Sequence, residues 1–233
     1  MKRVRTERVF LKWLIVFSSL GGVALSLVFA ARDGFSHWSR RLLYFTAQSN
    51  LWLGFTTLAI LLLQGLKTES KKAVKVLYVM KYLFTVSITV TCLVFCGILA
   101  PFADESYTPW SIYNLLTHVV SPVAAIADFF MEKPVVRLKT SHALLAALPP
   151  FLYTVSVGIL SGFHVDFGRG EPFPYFFMNY FSPVGLFGFS RKKPYVMGSF
   201  YWILALVLLV FGLAFFYARR KANEKKYHFN VKK

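Results

Sequence analysis

The sequence predicts an all-α, polytopic membrane protein with six transmembrane helices and both termini on the cytoplasmic side. Three observations carry this. Hydrophobic residues make up 56% of the 233-residue chain and charged residues only 16%, well below the roughly 25% of a typical soluble domain. The apolar residues fall into runs of about 20, the length that spans a ~30 Å hydrocarbon layer at 1.5 Å per residue. The basic residues cluster at the edges of those runs.

The runs lie at residues 10–31, 42–66, 76–100, 111–131, 144–162 and 197–217, and together they organise residues 1–233 as one six-helix domain. The first follows Lys2, Arg3, Arg5 and Arg8. Its apolar stretch exceeds the ~7–15 residues of a signal-peptide core, so it reads as an uncleaved helix. The second opens on the polar run YFTAQSN. The third stops at Pro101. The fourth is the most polar. The fifth carries Pro149 and Pro150, which predict a kink. The sixth runs into a basic tail. Between the last two helices, residues 163–194 are rich in Phe, Pro and Gly and read as an interfacial cap.

Orientation follows from the Lys and Arg distribution. The N-terminal segment, the loop with Lys67, Lys71, Lys72 and Lys75, the loop with Lys133, Arg137 and Lys139, and the C-terminal tail hold most of the 27. Cytoplasmic segments are enriched in such residues, so these four lie inside. The same distribution explains the formal charge of +17 through topology and anionic headgroups, and excludes a nucleic-acid partner. The expected location is a bacterial plasma membrane, and the expected partners are membrane lipids. Nothing in the sequence sets an oligomeric state.

Polar residues within the spans are the candidate functional groups, since they are costly against lipid and face protein or a wet cavity. Thr46 and Asn50 are four apart and share a helix face. In the fourth span Asn114, Thr117, His118, Ser121 and Asp128 fall within a stripe about 100° wide. Both helices start from the external side, with Thr46 about one turn in and His118 about two. Thr46, Asn50, Asn114 and His118 are therefore expected to converge on one outward-facing cavity. A threonine hydroxyl becomes a nucleophile when a base takes its proton, and histidine is the usual base. An asparagine would orient the imidazole or donate to an oxyanion. The same residues also suit interhelical hydrogen bonding without chemistry.

Asp128 lies about 15 Å along the helix from His118, too far to be its direct partner. With Ser121 it marks a possible polar path. Lys81 is expected to snorkel towards the interface. Cys92 and Cys96 share a face and read as small packing residues. His37, His164, Asp166 and Glu171 lack metal-ligand spacing, so no metal site is expected. No nucleotide-binding glycine motif or other cofactor signature is present.

Three motifs carry a resemblance: YFTAQSN at 44–50, NLLTHVVSP at 114–122 and GEPFPYFF at 170–177. In this order they resemble a bacterial family of six-helix membrane proteins with a YFT-x-x-SN run, an H-x-x-x-P helix and a YPYPF-like run. Here Glu171-Pro172-Phe173-Pro174-Tyr175 stands where the last is usual. That family is in turn similar to the androgen-induced and androgen-dependent membrane hydrolases, which cleave fatty acid esters of hydroxy fatty acids with an intramembrane Thr and His. The resemblance implies Thr46 as nucleophile and His118 as base, with a lipid ester as substrate. The residues leave two other classes open: a small transporter or channel using Asp128, and a lipid-binding protein without chemistry.

Overall fold

A computed structural model describes residues 2–66, 70–103 and 108–224, with side chains from residue 9 onward. Lys67 and the end of the basic tail lie outside the described residues. Among the described residues six helices are long and apolar enough to cross a membrane: α1 (Val9–Val28), α2 (Phe45–Gly65), α3 (Lys71–Leu99), α4 (Ile112–Met131), α5 (Thr140–Gly162) and α6 (Ser199–Ala222). No strand occurs among the described residues.

Helix ends follow local chemistry more than hydropathy. α3 starts before the apolar run because the Ser70 hydroxyl accepts from the Ala73 N–H at its first turn, an N-cap worth about 1 kcal/mol. The start of the second run, expected to be helical from 42, is instead a 3-10 turn at Trp38–Leu43. α2 begins only after Tyr44, whose backbone is extended. α5 runs continuously through Pro149 and Pro150.

Three helices contain a π-turn: Phe17–Gly21 in α1, Phe95–Leu99 in α3 and Leu116–Val120 in α4. The one in α4 lies just ahead of Pro122, which has no N–H to offer the His118 carbonyl four residues earlier, and it closes with the Ser121 N–H on Leu116 O in a π pattern. Such turns concentrate at functional sites because they re-aim side chains.

α3 is the central helix and packs against α2, α4, α5 and α6, while α1 packs on α2 and α4. Glycines permit the closest approaches. A Cβ on Gly54 would lie 2.5 Å from Leu20 Cδ2, and one on Gly22 would lie 2.8 Å from Thr117 Cγ2. Small residues at such contacts are the means by which helices associate where lipid supplies no hydrophobic drive. α5 and α6 pack on each other and expose Leu152, Leu204, Leu208 and Phe216. Successive helices alternate in direction. α2 and α4 both begin at one end of the bundle, the upper end. There the segment between α5 and α6 folds back onto the bundle, burying Phe167, Phe177 and Met178 against Phe45, Tyr153, Val157 and Val210.

Candidate functional site

The upper end brings Thr46 and His118 together. Thr46 sits in the first turn of α2 and His118 in the π-turn of α4. Thr46 Oγ1 and His118 Nε2 lie 3.1 Å apart. His118 Nδ1 lies 3.0 Å from the Asn114 carbonyl oxygen. A carbonyl only accepts, so Nδ1 carries the proton and Nε2 offers its lone pair to the Thr46 hydroxyl. The ring is held from its face by Phe95, stacked at a centroid distance of 4.0 Å. Imidazole tautomer, tilt and rotation are thus all set by α3 and α4.

Both asparagine side chains bond backbone carbonyls. Asn50 Nδ2 donates to Thr46 O at 2.8 Å and to Thr117 O at 3.1 Å, tying α2 to α4 beneath the pair. Asn114 Nδ2 donates to Thr108 O. Asn114 orients His118 through its main-chain carbonyl and lines the cavity, while Asn50 spends both amide protons on backbone.

Tyr175 is the residue that sequence reasoning missed. Its phenol lies near the Thr46 and Tyr153 hydroxyls and the Thr46 and Phe45 N–H groups. Burial pushes its phenol up against the lowering effect of these contacts, so it remains a neutral donor. The two N–H groups belong to the first turn of α2 and have no intrahelical acceptor. The signal was present in the aromatic-proline run at 170–177, but nothing in its spacing pointed at Thr46.

Two cavities meet here. One, of about 330 Å³, is lined by Arg41, Asn114, His118, Arg169 and Glu171 among others. The second, of about 420 Å³, lies between α3, α5 and α6 and is apolar, lined by Val90, Val94, Ala147, Phe151, Leu206 and Val210 among others. Thr46, Leu99 and Tyr175 line both. Burial and Tyr175 push the neighbouring Tyr44 phenol up, partly opposed by Arg169 and Arg41.

Above the first cavity the loop is braced by Asp166, which accepts from the Gly168 and Gly170 N–H groups and from the Ser36 hydroxyl. Partial burial raises its pKa, but these donors together hold it below the usual carboxylate value. Asp166 is thus a loop brace. Among the described residues no group of three or more His, Cys, Asp or Glu gathers to hold a metal ion.

Asp128 does not join Thr46 and His118. It lies at the lower end, fully buried, with Lys12 Nζ 2.7 Å from one oxygen and Lys81 Nζ 2.6 Å from the other. Lys81 also pairs with Glu132. At 1% exposure, Lys81 does not snorkel as expected: the buried Asp128 and the half-buried Glu132 carboxylates hold it inside the bundle. Ser121, a turn below His118, is fully buried, and its hydroxyl has no partner among the described residues. Cys92 and Cys96 are free thiols.

Compared with family models, with curated proteins and with solved structures, the chain matches none of them.

Proposed function

We propose that this chain is a threonine-type hydrolase of lipid esters, working from the outer leaflet of a bacterial plasma membrane with both termini in the cytoplasm. The observation that carries the reading is the contact of 3.1 Å between Thr46 Oγ1 and His118 Nε2, with Nδ1 anchored on a carbonyl. This is the nucleophile–base–orienter arrangement of covalent acyl transfer. The basic flanks of the lower end support the orientation, and the three sequence motifs support the lipid ester.

In this reading Thr46 Oγ attacks the ester carbonyl carbon and its proton passes to His118 Nε2. The carbonyl oxygen becomes an oxyanion, next to the Tyr175 hydroxyl and the free N–H groups of the first turn of α2, which stabilise negative charge. Collapse breaks the bond to the alcohol oxygen, which leaves with the proton from Nε2, and the acyl group stays on Thr46. His118 then takes a proton from water, whose oxygen attacks the acyl carbon. Thr46 recovers its proton and the fatty acid departs.

The test is fluorophosphonate labelling of purified protein, wild type beside Thr46→Ala and His118→Ala. Wild type should label and both variants should not, with thermal unfolding unchanged. Labelling that persists in Thr46→Ala would remove that residue as nucleophile. A well-folded wild type that does not label would move the protein to lipid binding without chemistry.

A further inference from the structure

The cavities that meet at Thr46 differ in chemistry, and the difference describes a ligand. The apolar cavity has no charged residue in its wall, and its polar atoms belong to threonines and tyrosines such as Thr91, Thr154 and Tyr153. Along α5 its lining extends from Leu144 to Thr154, about 15 Å at the helical rise. That is a slot for one extended hydrocarbon chain. The other cavity has an apolar lining too, with Val23, Phe35, Leu99 and Phe102, but it also carries two guanidinium groups, an imidazole, an amide and a carboxylate. Those groups give it places for a polar, charged head that the apolar cavity lacks.

Arg41 is the informative residue of the polar wall. Its side chain is only 12% exposed. The guanidinium lies over the Phe35 ring at 4.1 Å and near the Tyr113 ring at 5.4 Å. It is ion-paired to Asp33 through one terminal nitrogen, and Asp33 also accepts from the Tyr113 hydroxyl at 2.6 Å. This packing fixes the plane of the fork. Yet Arg41 Nε is buried and has no hydrogen-bond partner among the described residues. A buried charged donor without an acceptor is costly, and a fixed guanidinium fork matches a carboxylate or phosphate. Arg169 lines the same cavity from the exposed loop, and Glu171 lies beside it at the solvent-facing rim, where water and salt screen its charge.

We propose that the two cavities divide one ester between them, with the acyl chain in the apolar cavity and a short alcohol bearing an oxyanion, phosphate or carboxylate, against Arg41. The substrate class is then a single-chain acyl ester of a small anionic alcohol, cleaved where the cavities meet. This rests on Thr46 being the nucleophile, and it departs from the two-chain esters that the family resemblance implies.

The test uses three ligands with the same dodecanoyl chain: the neutral glycerol monoester, its glycerol phosphate counterpart and the lactate ester. Binding is measured by native mass spectrometry of Thr46→Ala protein in nanodiscs, which avoids competing detergent. The phosphate or the lactate ester should bind about tenfold or more tighter than the neutral one, the scale of one charge-assisted hydrogen bond. Their relative order identifies the head. The preference should vanish in Asp33→Asn/Arg41→Gln, which removes the ion pair without stranding either charge. Should that variant fail to fold, Arg41→Lys keeps the pair with Asp33, removes the fork and should also weaken the preference. Equal binding of all three ligands would overturn the proposal, whether or not wild type hydrolyses them. Anionic preference without turnover of any ester by wild type would overturn the hydrolase reading and leave a divided amphiphile site standing.

Discussion

Tyr175 and Thr46 share their immediate surroundings, since each lines both cavities and the phenol lies against the first turn of α2. If the phenol stabilises charge only as the tetrahedral intermediate forms, its loss must appear in kcat and not in substrate affinity. Tyr175→Phe keeps the ring and its stacking on Phe177, at 5.0 Å, while removing the hydroxyl. We expect kcat to fall about 10²-fold, the scale of one oxyanion donor, with KM nearly unchanged. Steady-state kinetics on an acyl ester would read this, and a rise in KM alone would make Tyr175 a substrate-packing residue. Thr46 and His118 were legible in the sequence because each belongs to a polar cluster in an otherwise apolar run. Tyr175 was not, because it is one of many aromatics in a loop and its partner is remote in sequence. Asn50 and Asn114 were legible as polar groups but not in their roles, since the backbone atoms they hold become visible only when helices are packed.

At the scale of elements, His118 lies in a π-turn just ahead of Pro122 in α4. A proline inside a helix costs about 3 kcal/mol relative to alanine, and here the residue before it, Ser121, bonds Leu116 O to close a π-turn that contains His118. His118 meets Thr46 of α2 from within that turn. Pro122→Ala restores a donor to the His118 carbonyl and allows the turn to close as ordinary α-helix. The expected outcome is a melting temperature equal to or above that of wild type, with hydroxyl-directed labelling of Thr46 reduced. A variant that labels as well as wild type would show that packing alone, with no help from the proline, holds the imidazole in place. The spans themselves were legible because apolar runs of about 20 residues leave a membrane helix little alternative. Their ends were displaced by a few residues because caps such as Ser70 set them. The π-turns were invisible, since an inserted residue changes no composition. Only the H-x-x-x-P spacing hinted at one of them.

The molecule as a whole places its reactive pair at one end and a closed charge network at the other. Lys12 from α1, Lys81 from α3 and Asp128 from α4 are 2%, 1% and 0% exposed. Glu132 adds a carboxylate to both lysines. Lys221 from α6 donates to the Phe130 and Glu132 carbonyls and pairs with Glu224. Three lysines thus face three carboxylates, and one network joins four helices. The sequence could not display it, because each lysine belongs to a different helix and reads singly as a flank or a snorkelling residue. With a lysine on each oxygen, Asp128 is arranged as a clamp, which weakens the case for a carrier group exchanging protons or ions. Removing one partner of such a set leaves buried charge uncompensated, at a cost of about 3–5 kcal/mol. Asp128→Asn should therefore lower the melting temperature sharply, and Lys12→Met/Asp128→Asn should recover part of the loss by discarding one stranded lysine. In whatever fraction of Asp128→Asn folds, Thr46 should still label, because the upper site shares no contact with Asp128. Labelling lost without any change in melting temperature would mean that Asp128 acts on the chemistry at a distance, and the clamp reading would fall.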